Sequence, residues 1–264
     1  MSRITVKVVQ ANISYGGHGT DNVLNLNRTT DYLIKLSPDF AALTEVIGGD
    51  NDPVLITNLM NRKTGGTWYN YYAPKYAGCG EGVMVLSKWP ISSKATCFMS
   101  YQMPIAQTTI DVGGKPVNFF ATHFQWPKND SGQRQVEAKE LVSFAAKFAE
   151  PRIIGGDLNA QIGTPELNII IQNYIGGWDQ AVTNKTAVSY PDNPPSLNTR
   201  TRRSRIDHVL YSRNAGSITV PGARIPDQRV PGTASKVTIK IGTADDNGVR
   251  PSDHNFLSVT LTIP

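Results

Sequence analysis

Residues 152–160 read RIIGGDLNA: Arg152, a short apolar run at Ile153 and Ile154, two glycines, then Asp157 and Asn159 either side of a leucine. Apolar residues that run into Gly-Gly mark a buried strand reaching its end, where missing side chains let the backbone crowd a ligand. Asp157 and Asn159 are two apart, so in a continuing extended conformation they share one face. An acid and an amide there could bind a metal, orient water or donate to a phosphate oxygen. The competing reading is an Asx turn that caps the strand. The flanking sequence has to decide between them.

Upstream of this stretch, Gln133–Phe148 has helical periodicity, and Val117–Ala121 is an apolar strand that stops at Thr122-His123. Gln107–Val112 is a strand closed by a Gly113-Gly114 turn, and Gly82–Phe98 reads as a hairpin. Tyrosine-rich Trp68–Tyr76 is expected as a strand, with a substrate-stacking platform as its alternative. A helix is expected over Pro53–Arg62, and a strand at Phe40–Leu43 ends in Thr44-Glu45-Val46. Another helix fills the second half of Asn22–Leu36 and is stopped by Ser37-Pro38. The chain opens with a glycine-bearing loop at Ser14–Thr20, preceded by the alternating strand Ile4–Val9 and its tip Gln10-Ala11-Asn12.

Downstream, Glu166–Gln172 is a short helix capped by Thr164 with Pro165 at its first position. Val182–Thr201 is polar and proline-rich, hence a loop. Ile206–Tyr211 and Phe256–Ile263 are strands, and Arg213–Arg250 between them holds two β-like runs, Ser217–Val220 and Lys236–Ile241. No repeat, low-complexity tract or linker breaks the chain, so one domain spanning 1–264 is expected.

The strand ends carry the pattern. Four apolar runs finish in polar residues: Asn12, Glu45, His123, and Asp157 with Asn159. Two others begin with them, Asp207 in RIDHVLY and Asp253-His254 in SDHNFLSVTL. If these groups share one rim, the first four strands run toward it and the last two run away. That requires mixed pairing and argues against an all-parallel doubly wound sheet, whose sites gather at carboxyl ends alone. Each polar tip singly is an ordinary strand cap; together, drawn from Asn, Asp, Glu and His, they suit hard-cation binding and proton transfer.

The ordered set QAN at 10–12, TEV at 44–46, EGVMVLSKWPI at 81–91, ATHF at 121–124, GGDLNA at 155–160, RIDHVLYS at 205–212 and PSDH at 251–254 resembles the endonuclease/exonuclease/phosphatase superfamily, which includes deoxyribonuclease I. Seven weak motifs in order cover nearly the whole chain. The resemblance implies an α/β fold: a four-layered α/β/β/α sandwich with two central mixed, largely antiparallel sheets.

It also implies roles. Glu45, Asn12 and Asp253 match positions at or beside a metal; Mg²⁺, for which Mn²⁺ could substitute, needs few oxygen ligands near a phosphate. His254 matches the histidine that activates water or orients the scissile phosphate, with Asp207 as its carboxylate partner. Asp157 positions water or protonates the leaving oxygen, Asn159 donates to a phosphate oxygen, and His123 contacts the phosphate. The implied reaction is phosphoester hydrolysis without a covalent intermediate. Two departures stand out. Thr44 replaces a common glutamine, and Glu81 puts a negative charge where phosphate would be repelled unless it points away or binds a cation.

Three histidine and arginine positions have plainer readings. His208 faces away from Asp207 along its strand and is read as packing. His18 is read as a surface residue and Arg134 as a salt-bridge partner.

Composition narrows the class. With 264 residues, 39% of them apolar, the chain can bury a sizeable core, and a net charge of +5 favours anionic partners. No window approaches the roughly 20 apolar residues of a membrane span, so no membrane insertion is expected. The N-terminus leads straight into a strand and reads as carrying no signal peptide, which leaves the cytoplasm or a secreted chain with its leader removed. Cys79 and Cys97 flank the expected hairpin and could lie opposite one another, as a bridge or as free thiols.

Arg200, Arg202, Arg203 and Arg205 lead directly into Asp207 and could track a phosphate backbone; a solvated charged face is the alternative. Trp126, just past His123, could stack on a base. These features favour a monomeric metal-dependent endonuclease acting on nucleic acid, DNA ahead of RNA. The alternatives are a phosphatase or phospholipase C-type hydrolase acting on inositol phosphates or sphingomyelin, and a catalytically inactive binding module.

Overall fold

A computed structural model of the chain describes residues 3–49, 51–76, 80–127, 129–190, 194–233, 238–241 and 244–264, with backbone alone for 238–241 and 244–246. In chain order the first half runs β1 (Ile4–Asn12), α1 (Ser14–Gly17, a single turn), α2 (Leu26–Leu36), β2 (Phe40–Ile47), α3 (Asp52–Thr64), β3 (Tyr69–Pro74), β4 (Glu81–Ser87), β5 (Ile91–Phe98), β6 (Pro104–Val112), β7 (Lys115–His123) and α4 (Ser131–Ala145). The second half runs β8 (Arg152–Asp157), α5 (Pro165–Ile171), β9 (Tyr174–Gly176), α6 (Gly177–Thr183), β10 (Ala187–Ser189), β11 (Asp207–Ser212), β12 (Thr219–Ile225), β13 (Thr238–Ile241), β14 (Ala244–Asn247) and β15 (Leu257–Ile263).

Two mixed sheets pack face to face. One has seven strands in the order β10-β12-β15-β1-β2-β4-β3, the other six in the order β5-β6-β7-β8-β11-β9. Strand alternation explains how both faces of each sheet are buried. In β7, Phe119 points into the layer between the sheets, where its ring lies 4.8 Å from that of Phe40, while Phe120 points outward. Leu33, Leu36, Ile56 and Met60, carried on α2 and α3, cover the outer face of the seven-stranded sheet against Ala41 and Leu43. Ala138, Leu141, Leu167 and Ile170, carried on α4 and α5, cover the outer face of the other against Phe120 and Ile154. Helix, sheet, sheet and helix make the four layers expected from the sequence.

The helix boundaries have local causes. Asn25 accepts from the Arg28 amide at the start of α2, and Ser37, left-handed ahead of Pro38, ends it. Gly65, at φ 67°, closes α3.

Strand directions match the rim argument. β1 runs parallel to β2 and antiparallel to β15; β7 runs parallel to β8, and β11 runs antiparallel to it. Three expectations need correction. Gly82–Phe98 is not a hairpin: β4 pairs with β2 and β3, and β5 pairs with β6 in the other sheet. The link Lys88-Trp89-Pro90 lacks the glycine a tight hairpin turn favours, and its proline has no N–H to give; it carries the chain from one sheet to the other. Cys97 therefore faces β6, opposite Ile105, and is a free thiol, while Cys79 lies outside the described residues.

The polar stretch Val182–Thr201 also contains the end of α6 and the short strand β10. Finally, the glycines of RIIGGDLNA serve packing rather than ligand approach. A Cβ on Gly155 would lie 2.6 Å from Ala42 Cβ of the opposite sheet, and one on Gly156 would lie 2.7 Å from the Thr122 carbonyl oxygen.

Candidate active site

Both sheets deliver polar side chains to one rim. Asn12 ends β1 and Glu45 sits near the end of β2, while His123 and Asp157 end β7 and β8. Asp207 opens β11, and His254 lies just ahead of β15. Glu45 occupies a bulge between Thr44 and Val46 with φ 61°, where the pairing with β4 slips by one residue and the extra side chain is re-aimed.

A chain of hydrogen bonds joins these groups. The Asn12 amide donates to Glu45 Oε1 at 2.8 Å and to Asp157 Oδ2 at 3.0 Å, holding two carboxylates together. Its oxygen accepts from the Ser14 amide at 2.9 Å, and the Tyr15 amide donates to Glu45 Oε2 at 2.9 Å. Asn159, left-handed at φ 46°, donates its own backbone N–H to Asp157 Oδ1 at 3.0 Å. The strand has ended at Asp157, so the two residues share an Asx turn and not a strand face. That turn still delivers the Asn159 amide to Phe124 O at 2.9 Å and within 3.3 Å of His123 Nε2.

Across the seam, His254 Nδ1 lies 2.8 Å from Asp207 Oδ2, and Gln10 donates to Asp207 Oδ1 at 3.2 Å. Gln10 went unassigned in the sequence, although its place two residues before Asn12 puts both on one strand face. Thr201 was also missed; its hydroxyl accepts from the backbone N–H groups of Ile206 and Asp207.

Burial and charge set the protonation of this cluster. Burial and the neighbouring Asp207 charge push the Asp157 carboxyl up, outweighing the pull of His254 and His123. Burial also pushes Asp207 up, but the His254 charge and hydrogen bond outweigh it and hold this carboxyl low. Burial would lower His254, yet the Asp207 charge and hydrogen bond, with Asp157 behind them, push it up to about 10. Glu45 is held below its ordinary range because His123 and the Asn12 hydrogen bond overcome its own burial.

The remaining expectations divide. Trp126 is 72% exposed and, with Asn159, Arg202 and Arg203, lines a groove of about 830 Å³. Arg200 is half-buried, and its carbonyl accepts from Asn255. Arg205 is a correction: it is buried, spending its guanidinium on Asp179, the Leu197 carbonyl oxygen and His208 Nδ1, so it cannot follow a phosphate backbone. Asp253 pairs with the guanidinium of the groove-lining Arg202 at 2.7 Å.

His208 is a packing residue, with burial and Arg205 pushing its pKa down to about 3. His18 is half-buried against the Tyr15 carbonyl, and Arg134 pairs with Glu166 at 2.9 Å. Glu81 lies 3.9 Å from the Lys75 ammonium and 3.8 Å from His123 Nδ1.

The donor set suits a hard divalent cation. Glu45 and Asp157 are oxygen donors tied together through Asn12, and ligand atoms of Asp157, Asp207 and His254 lie within 4.8 Å of one another. The upward push on Asp157 marks buried negative charge that a cation would relieve.

The model of the Endonuclease/Exonuclease/phosphatase family matches residues 9–254. A phospholipase C of Staphylococcus aureus is 30% identical over 142 residues, which is 43% of this chain and 43% of that protein. The chain thus aligns with less than half the length of that relative. Among solved structures, an endonuclease/exonuclease/phosphatase family protein from Bacteroides thetaiotaomicron superposes over 100% of both chains with a TM-score of 0.75 at 14% identity. The mannosyl-6-phosphatase of Bacteroides thetaiotaomicron VPI-5482 gives a TM-score of 0.68 at 14% identity, over 97% of this chain and 99% of that one. By the extent of the family match, with the fold in agreement, the chain belongs to the endonuclease/exonuclease/phosphatase family of phosphoester hydrolases.

Proposed function

We propose that the protein is a divalent-metal-dependent phosphodiesterase acting on nucleic acid, DNA ahead of RNA, that cleaves the backbone by direct attack of water. The groove beside Asn159 carries this reading. It combines an exposed indole at Trp126 with the exposed guanidinium of Arg203 and that of Arg202, next to the candidate phosphate-binding amide. An aromatic face for a base and cations for the backbone are what a polynucleotide requires.

The roles follow from the hydrogen bonds. Asp207 fixes His254 through Nδ1, which leaves Nε2 to take a proton from water, and the same carboxylate stabilises the imidazolium that forms. Asn159 and His123 stand together to hold nonbridging phosphate oxygens as charge builds on them. Asp157, beside both groups, orients the attacking water. Glu45 and Asp157, spaced by Asn12, would hold Mg²⁺ or Mn²⁺. Such an ion would supply Lewis-acid stabilisation and the positive charge that brings His254 down toward the range of a base.

The second reading, a phosphodiesterase of lipid headgroups, rests on the similarity to the staphylococcal phospholipase C. One panel separates the two: supercoiled plasmid, sphingomyelin and inositol polyphosphates, each with Mg²⁺, beside a His254→Ala control. Nicking that the control lacks supports the nuclease. An intact plasmid with phosphocholine or phosphate release rejects it.

A further inference from the structure

The turn that follows Asn12 is costly to build. Ser14 and Tyr15 are both left-handed, at φ 54° and 43°, a conformation that residues with a Cβ resist. Three contacts hold it there: Ser14 N–H on Asn12 Oδ1, Tyr15 N–H on Glu45 Oε2, and His18 Nδ1 against the Tyr15 carbonyl at 2.7 Å. Gly16 and Gly17 complete it, and a Cβ on Gly16 would lie 2.8 Å from both Asp52 and Ile47 side chains.

Glycine would suit position 15 better on backbone grounds. A tyrosine there adds no core, since the residue is 62% exposed and its ring lies 6.2 Å from that of His18. The Tyr15 backbone N–H is bonded to Glu45 Oε2 at 2.9 Å, which places the residue beside the candidate metal-binding carboxylate. The Glu45–Asn12–Asp157–Asn159 relay of hydrogen bonds leads from Tyr15 at one end to the Trp126 groove at the other, and Tyr15 is not part of that groove.

We propose that Tyr15 is a specificity-determining residue that contacts substrate, its ring forming a second aromatic wall for the group on the side of the scissile phosphate opposite Trp126. Two walls flanking one phosphate fit a diester with ring-bearing substituents on both sides, as in the interior of a polynucleotide, better than a terminal monoester. This inference rests on the phosphodiesterase reading above and extends it to where the substrate lies.

The test uses the full chain in the His254→Ala background with Mg²⁺, and measures binding of two probes. Bis(p-nitrophenyl) phosphate has a ring on each side of phosphorus; p-nitrophenyl phosphate has one. Tyr15→Ala should weaken diester binding about tenfold, within the range of one ring-stacking contact, and change monoester binding less than about twofold. Tyr15→Phe and Tyr15→Trp should both restore diester binding. Equal losses for the two probes, no loss for either, or a parent that shows no preference for the diester would each overturn the proposal. Neither probe contains nucleic acid, so a failed plasmid assay and a failed Tyr15 assay are separate results.

Discussion

His254 Nδ1 and Asp207 Oδ2, 2.8 Å apart, belong to segments from different sheets and meet only because β1 and β15 pack over β8 and β11 at the same rim. Their hydrogen bond is therefore a product of the sandwich, and the chemistry depends on the register of both sheets. Asp207→Asn keeps the side-chain shape but removes the charge that supports an imidazolium. Turnover should fall by about two to four orders of magnitude, the usual span for impaired acid–base catalysis, with the thermal melt retained. Near-normal turnover would remove the dyad from the mechanism.

Asn12 spaces two carboxylates that would otherwise repel. In Asn12→Ala, affinity for Mg²⁺ or Mn²⁺ should drop about 10–100-fold, as for other outer supports of metal ligands. Calorimetric titration with Mn²⁺ measures this directly. An unchanged dissociation constant would mean that Asn12 has no part in organising Glu45 and Asp157.

Glu137 gives a pH dependence of stability. Its carboxylate is buried on α4, where it accepts from the Gln125 amide, and burial pushes its pKa up to about 7 despite Arg134 on the same helix and Lys75 beyond β3; Glu140 adds to the rise. Because the folded state holds this proton more tightly than the unfolded chain, the stability it contributes is full below the ordinary glutamate range. It is lost as pH rises through about 7. Glu137→Gln should therefore raise stability at alkaline pH by on the order of 2–3 kcal/mol and flatten the decline from about pH 5 to 8. Denaturant melts across that range would show it; parallel pH curves for the two proteins would contradict it.

Gly155→Ala tests the seam between the sheets. The added methyl would meet Ala42 Cβ at 2.6 Å and Phe119 Cζ at 3.3 Å. The loss should be about 1–3 kcal/mol, typical of overpacking. A melt equal to that of the parent would show that the sheets separate there without penalty.

Residue type and strand periodicity made most of the rim readable. Asn12, Glu45, His123, Asp157, Asp207 and His254 stand at the ends of apolar runs, and alternation fixes which neighbours turn inward with them. What stayed hidden depends on partners distant in sequence. Arg205 looked like its neighbours Arg202 and Arg203 until Asp179 and His208 enclosed it. The segment from β4 to β5 has the pattern of a hairpin, and only the two-sheet packing separates its strands. Tyr15 stayed silent because left-handed backbone at a tyrosine has no sequence signature; it exists because Asn12 and Glu45 hold the turn.

Hydrolysis of bis(p-nitrophenyl) phosphate tests the central claim most directly, measured with Mg²⁺, with excess EDTA, and with His254→Ala in Mg²⁺. The expected result is turnover that disappears in EDTA, returns when Mg²⁺ or Mn²⁺ is restored, and falls by orders of magnitude in the variant. Undiminished hydrolysis in EDTA, or by His254→Ala, would contradict a metal-dependent phosphodiesterase centred on this rim.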